Sequence, residues 1–185
     1  GAEDSTRPER KSPNSKRVII FSPHPDDDVV SMGGTFDRLV SQGPKVHIPY
    51  QVKGNIAVSD QDALKFIEVS KDMFKNDSKV LVSELIKELK NNKPDKIDSQ
   101  AVRDLKGFIR KREAIAATRY FGIPDSNTHF MNLPFYNTGR IKKNPPTKKD
   151  VLITASLIKK IKPNQIFAAG DLEDPHGTHK VCLDV

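Results

Sequence analysis

The chain has 185 residues, of which 36% are hydrophobic and 30% charged, so it is long enough for one globular domain. It contains no apolar run of about 18 residues, which excludes a transmembrane helix of ordinary length and predicts no membrane span. Cys182 is the single cysteine, so a disulfide framework and a four-thiolate zinc site are excluded. The same cysteine usage favours a reducing compartment and hence a cytoplasmic location.

The net charge is +7 and the isoelectric point is about 9.4, values that often accompany nucleic-acid binding. Aromatic residues are only 6% and Trp is absent, so no stacking platform for bases is visible and no nucleic-acid partner is predicted. Part of the charge lies in one Pro-containing segment. The pattern favours a solvated loop, and the alternative is a surface that attracts a small anionic substrate such as a sugar phosphate. The cations of this segment are Arg140, Lys142, Lys143, Lys148 and Lys149.

The first elements in chain order predict a parallel sheet. Residues 1–16 contain nothing apolar beyond Ala2, which predicts a linker or arm, and the absence of an initiator Met predicts the interior of a longer polypeptide. Residues 18–21 form a short apolar run, typical of a strand buried on both faces. A helix over 29–42 and a second strand over 45–52 follow, and strand, helix, strand is the βαβ pattern.

The rest of the chain continues this alternation with one interruption. Helices over 59–76 and 79–90 follow each other without a strand, which predicts an inserted helical pair at about 59–98. The sequence therefore predicts one α/β domain over 17–185, with a mostly parallel sheet and helices on both faces. The later elements are a long helix over 99–120, a strand over 128–133, a helix over 148–160 and a strand over 165–169.

Two polar clusters, at 24–28 and 174–179, each follow a predicted strand. In open parallel sheets, ligands bind outside the carboxyl ends of the strands. Adjacent carboxylates repel one another unless a cation compensates them, and two histidines with a carboxylate are a usual ligand set for catalytic zinc. Either cluster alone also fits a helix-capping or surface role, whereas both together favour a metal. His47 and His129 lie in predicted strands and are assigned to structure.

The motifs carry a family resemblance. Residues 20–28, Ile-Phe-Ser-Pro-His-Pro-Asp-Asp-Asp, with Gly-Gly-Thr at 33–35, resemble the opening motif of the PIG-L/LmbE-like de-N-acetylases. Pro-His-Gly-Thr-His at 175–179 resembles that family's second motif. The likeness runs from about Arg17 to the last residue, with weaker matches at 51–54, 110–113 and 121–123. It implies a Rossmann-like sheet, one zinc ion and removal of an N-acetyl group from a glucosamine-type sugar.

A narrower likeness concerns residues 54–59, Gly-Asn-Ile-Ala-Val-Ser. They are similar to a de-N-acetylase module at the carboxyl end of bacterial proteins whose amino-terminal part is glucosamine-6-phosphate deaminase-like. This implies a covalent link to an N-terminal enzyme domain and a small amino-sugar substrate. The chain departs from the family at Asp28, where Glu is usual, and it ends six residues after His179, within an expected helix, which predicts truncation.

The family resemblance assigns roles residue by residue. It implies that Asp26 is the general base and that His176 polarises or protonates a group at the reacting centre. It also implies that Arg110 binds the substrate. Two classes of function stay open. The first is a zinc-dependent N-deacetylase or, close to it in chemistry, an amidase that acts on a larger glucosamine conjugate. The second is a non-catalytic sugar-sensing or scaffolding module. The implied ligands of zinc, or of another divalent ion, are His24, Asp27 and His179.

Overall fold

The computed structural model describes residues 16–73, 79–93, 96–138, 142–169, 173 and 177–185. All but the last residue of the predicted linker lies outside these ranges. Arg140 of the basic segment and His176 of the second motif also lie outside them.

Within the described ranges, four parallel strands form the sheet, in the order β3-β2-β1-β4. The predicted parallel sheet is therefore confirmed, and β1 is one of its two central strands. Val18 of β1 is in register with Val46 of β2 and with Gln165 of β4. Since all strands run the same way, their carboxyl ends share one edge. The strands are β1 (Arg17–Ile20), β2 (Lys45–Tyr50), β3 (Thr128–Phe130) and β4 (Gln165–Phe167).

Six α-helices lie among the described residues. Most agree with the sequence prediction, although the first begins at Asp27 instead of Val29. β3 is shorter than predicted because Asn132 adopts a left-handed conformation (φ 50°), which ends the regular strand while Met131 and Leu133 still bond to β2 and its extension. The helices are α1 (Asp27–Ser41), α2 (Asp60–Met73), α3 (Lys79–Lys90), α4 (Gln100–Tyr120), α5 (Lys148–Ile161) and α6 (Thr178–Asp184).

Helices cover both faces of the sheet, as predicted. Val18 and Ile20 alternate with Ile19 along β1, so the two sets face opposite sides. The first set packs with Phe36 of α1 and Ala114 of α4. Ile19 packs against α5 on the other face. No described helix is both long enough and apolar enough to cross a bilayer.

The consecutive helices α2 and α3 pack against α4 through an apolar cluster of their own. A polar cluster reinforces this contact. Lys106 of α4 is only 6% exposed, and its ammonium donates to Asp60 at 2.6 Å and to Asp98 at 2.8 Å. The Asn92 amide donates to the same two carboxylates, at 2.9 Å each. The helical pair is thus bound to the long helix α4 by both apolar and charged contacts.

Candidate metal centre

The loop after β1 is held rigidly at the carboxyl edge of the sheet. Ser22 donates its N–H to the Pro49 carbonyl and accepts from the N–H of Gln51, both at 2.9 Å. The Val52 N–H then bonds to the Pro23 carbonyl at 3.0 Å. These bonds continue the pairing with β2 past the end of β1, so the backbone that leads to His24 is fixed relative to the sheet.

The three consecutive carboxylates point to three different partners. Asp26 accepts from Arg110 at 2.9 Å, whereas Asp27 faces the imidazole of His24. Asp28 is buried and accepts from the Tyr50 hydroxyl at 2.8 Å. Burial raises the pKa of Asp28, against the opposing effect of its hydrogen bonds. The repulsion expected from the sequence is therefore relieved by separate local partners, and only Asp27 belongs to the histidine cluster.

His24, Asp27 and His179 converge on one point. Asp27 Oδ2 lies 3.1 Å from His24 Nδ1 and 3.1 Å from His179 Nε2, and the two ring nitrogens are 3.3 Å apart. In a tetrahedral zinc site with bonds of 2.0–2.1 Å, ligand atoms are separated by about 3.3 Å. Two imidazole nitrogens and a carboxylate oxygen at these separations fit a divalent transition-metal ion and leave a fourth position for another ligand.

The protonation state of Asp27 suits a ligand. Burial raises the pKa of a carboxyl group, but here hydrogen bonds from the ring and backbone N–H of His24, the latter at 2.7 Å, act in the opposite sense. Together with the charges of His24 and His179 they hold the pKa of Asp27 below its usual value. The group is therefore ionised at neutral pH, which is the form that binds a cation.

His179 reaches the centre from the other end of the chain. Gly177 has a positive φ of 66° and immediately precedes α6. Because α6 begins at Thr178, His179 lies in the first turn of that helix. The Gln51 amide donates to the Cys182 carbonyl at 2.8 Å and ties α6 to the extension of β2. Cys182 is buried among apolar neighbours that include Leu133.

Arg110 lies between two carboxylates, a placement that its sequence position did not reveal. One terminal nitrogen donates to Asp26 at 2.9 Å and the other to Glu113 at 2.8 Å. The Arg110 side chain is 15% exposed. Its Nε is buried and has no hydrogen-bond partner in the described part of the chain. The i, i+3 spacing to Glu113 was visible in the sequence, whereas the contact with Asp26 requires the folded arrangement of α4 beside the loop.

Two further side chains border the centre. No sequence feature indicated Tyr136, whereas Lys143 was indicated only as one of the cations of the basic segment. The buried Tyr136 ring packs edge-on against His24, with 6.0 Å between ring centroids. The Lys143 ammonium lies 3.8 Å from the centroid of the Tyr136 ring. Burial raises the pKa of Tyr136 to about 12. Position 143 belongs to the basic segment, but nothing in its spacing distinguishes it from its neighbours.

His47 and His129, which the sequence assigns to structure, contact each other across β2 and β3. His47 Nδ1 is 3.1 Å from His129 Nε2, and the rings are stacked. Burial is the main reason that the pKa of His47 falls to about 4, and the charges of His129 and nearby cations add to it. The pair is thus neutral at physiological pH and is not part of the His24 cluster.

The structure is thus an α/β domain that carries two histidines and a carboxylate at the carboxyl edge of a parallel sheet, which is where such folds bind ligands. The family profile described as "PIG-L: GlcNAc-PI de-N-acetylase" matches residues 19–185, and the chain belongs to this family. It is also 50% identical, over 99% of its length, to a protein of Bacteroides thetaiotaomicron described as glucosamine-6-phosphate deaminase-like. The chain spans 29% of the length of that relative, in its carboxyl-terminal part.

Gly54, which follows the extension of β2, allows Pro25 of the loop after β1 to approach closely, and this leads to a stability prediction. It has a φ of 64°, and a Cβ built there would lie 2.7 Å from Pro25 Cδ. Gly54→Ala is therefore expected to lower the free energy of unfolding by about 1–3 kcal/mol and to weaken metal binding by displacing the loop. Urea unfolding and metal titration measure the two effects.

Gly34→Ala is the matched control, since Gly34 lies within α1 and a Cβ there meets nothing within 4 Å. Ala in a helix interior is favoured over Gly, so this variant should be more stable by about 0.5–1 kcal/mol. Equal behaviour of the two variants would show that the approach at Gly54 does not constrain the loop.

Proposed function

We propose that this chain is a zinc-dependent hydrolase that removes the acetyl group from an N-acetylglucosamine-type sugar or sugar conjugate. Membership of the PIG-L family supports a deacetylase-type activity. The observation that carries the proposal is the convergence of His24, Asp27 and His179, whose three ligand atoms lie no more than 3.3 Å apart. This donor set suits zinc, and another divalent ion of similar geometry is compatible with it.

The three converging side chains would hold the ion, and Asp26 would act on the attacking water. A zinc ion held there would supply acidification of the reacting water, whose pKa can fall to about 7 at such an ion. The Asp26 side chain is 53% exposed and lies one residue from the ligand Asp27. We propose that its carboxylate accepts the proton of the water that attacks the acetyl carbonyl. The other role, protonation of the leaving nitrogen or polarisation at the reacting centre, is proposed for His176, which lies outside the described residues.

Arg110 would act mainly through Asp26. Its guanidinium is held between Asp26 and Glu113, so it can fix the direction of the general base while leaving hydrogens for a bond to substrate. The substrate contact implied by the family resemblance is thus proposed as a second role of the same residue.

We further propose that the chain functions as a module of a longer cytoplasmic protein. The Bacteroides relative, in which the similar region makes up 29% of the length, supports a covalent link to an enzyme domain. The single cysteine supports the reducing compartment. In such an arrangement the amino sugar released here would be available to an adjoining domain.

Metal content and acetate release test the proposed function directly. Protein purified without chelator should contain about one zinc, or another divalent ion, per chain. It should release acetate and an equal amount of free amine from at least one member of a panel of N-acetylated sugars, and chelator should abolish this release. Metal binding with no acetate release from any substrate would favour the non-catalytic sugar-sensing module. Absence of metal, with no response to added zinc, would overturn the proposed centre.

A further inference from the structure

A cavity of about 400 Å³ is lined by residues of the segment 54–59, of the connection from α3 to α4, and of the helices α2 and α4. The proposed function uses none of these lining residues. Ligand sites in proteins commonly have volumes of about 300–1,000 Å³, so this cavity has room for one small molecule. Polar side chains that line it include Asn55, Asp60, Asn92, Asp98 and Lys106.

Asn55 brings an amide without a partner to this cavity. The residue is 6% exposed, yet its side chain makes no hydrogen bond within the described ranges. It begins the short helix Asn55–Ala57, which packs against α4. An amide group carries two donors and an acceptor, and burying them without partners lowers the stability of a fold. Asn55 is therefore better explained as a group that bonds to a ligand than as a structural one.

Hydrogen-bond acceptors lie on the same lining. Asn92 Oδ1 is buried and has no partner among the residues that the structure describes. The four carboxylate oxygens of Asp60 and Asp98 each accept one bond, from the Lys106 ammonium or from the amide nitrogen of Asn92. A carboxylate oxygen can accept two bonds, so each of the four retains capacity for another. The cavity thus suits a ligand that brings several O–H or N–H donors.

The remaining lining residues indicate the chemical class of this ligand. Ile56 and Val58 add apolar surface, and Ile56 is 40% exposed. Lys93 and Lys96 are exposed and add donors. The two carboxylates and three ammonium groups of the lining nearly balance in charge, which favours an uncharged ligand over a multiply charged one. A pyranose sugar meets these requirements, because it has hydroxyl groups around its rim and C–H groups on its faces.

We propose that this cavity is a second ligand site, which binds a sugar in its pyranose form. The sugar hydroxyls donate to Asn92 Oδ1 and to the two carboxylates, and a sugar oxygen accepts from the Asn55 amide. The inference goes beyond the proposed function, because the sugar is held here without reaction and no metal ligand takes part. Asn55 follows Gly54, which lies against Pro25 of the loop after β1, so a bound sugar also restrains the segment beside that loop.

An NMR titration of the 185-residue protein with glucose tests the inference. Glucose has no acetyl group, so binding is followed without turnover. The side-chain amide resonances of Asn55 and Asn92 should shift and saturate with a dissociation constant on the order of 1 mM, as expected for so small a ligand. Tetrahydropyran, which has the same ring without hydroxyl groups, should leave both resonances unchanged. Unshifted amides in glucose, or equal shifts with tetrahydropyran, would overturn the inference.

Asn55→Leu, with Asn91→Leu as the matched control, locates the bound glucose. Leu matches the branched shape of Asn and removes an amide that has no partner in the described part of the fold, so the variant should remain folded in urea as the wild type does. Its affinity for glucose should fall at least about fivefold. Asn55→Ala, which cannot overfill the cavity, should show the same loss.

Asn91 is exposed and does not line the cavity, so Asn91→Leu should leave the affinity for glucose unchanged. Equal affinities of the variants at the two positions would place the bound glucose elsewhere and contradict the inference.

Discussion

Asp26→Asn is expected to retain bound zinc while kcat falls by about two orders of magnitude or more. Asn keeps the shape of Asp but cannot accept the proton of the attacking water, and loss of a general base commonly has an effect of this size. Asp26 precedes α1 without making a side-chain capping bond, so the substitution removes little helix stability. Acetate release under saturating substrate, with metal content measured on the same sample, separates the two effects.

Asp27→Asn is the matched control at the neighbouring position. The Asp27 carboxylate lies 3.1 Å from both His24 and His179, so its neutralisation should weaken metal binding and allow partial recovery of activity at high zinc concentration. Loss of zinc from Asp26→Asn instead would exchange the two roles. If neither variant changes turnover, the hydrolase proposal is wrong, and the two acids only favour the start of α1.

Lys106→Met is expected to lower the free energy of unfolding by about 3 kcal/mol. Lys106 is 6% exposed and is bonded to both Asp60 and Asp98, so its removal leaves two carboxylates close together without their cation. Asp60 retains 33% exposure of its side chain, which keeps the expected loss near the lower end for buried pairs. Urea unfolding at neutral pH gives the value.

Lys65→Met is the control for loss of a lysine from an exposed ion pair. Lys65 lies 2.7 Å from Asp62, but both side chains are more than half exposed, so the change should be within about 1 kcal/mol. Similar losses in the two variants would contradict a special contribution of the buried cluster.

The pH dependence of the Lys106 cluster provides a second readout. Burial raises the pKa of Asp60, but its hydrogen bonds from Lys106 and Asn92 outweigh that effect and hold the pKa below its usual value. A carboxyl group whose pKa is lowered on folding stabilises the fold at pH values above its pKa in the unfolded chain, which is near 4. This contribution is lost as the pH falls through the pKa of the folded state. Wild-type protein should therefore lose stability over that acid range more steeply than Lys106→Met.

Much of the fold could be predicted because it depends on local patterns. The apolar run of β1, the helical periodicity and the absence of a strand between α2 and α3 are all visible in neighbouring residues. The end of β3 was not predictable in this way. It depends on the left-handed backbone of Asn132, at a point where Met131 and Leu133 still bond to carbonyls of another segment.

The candidate site divides along the same line. His24 and Asp27 lie in one short motif and His179 in the second. Residue types and strand ends pointed to these two clusters, and the family resemblance selected the three residues within them. The pairing of Arg110 with Asp26 and the stacking of Lys143 on Tyr136 join side chains that are distant in the sequence. Such lateral contacts follow from helix placement and rotamers, which composition and spacing do not encode.

The separation of 155 residues between His24 and His179 gives the candidate centre a mechanical role as well. An ion bound to both would act as a cross-link, and the chain entropy lost on closing so long a loop would be removed from the unfolded state. Besides the ion, the bond from the Gln51 amide to the Cys182 carbonyl holds the helix that carries His179. Local opening of this last segment and release of the ion would then be one coupled equilibrium, so chelation should speed amide exchange at 178–184 before it affects the central strands.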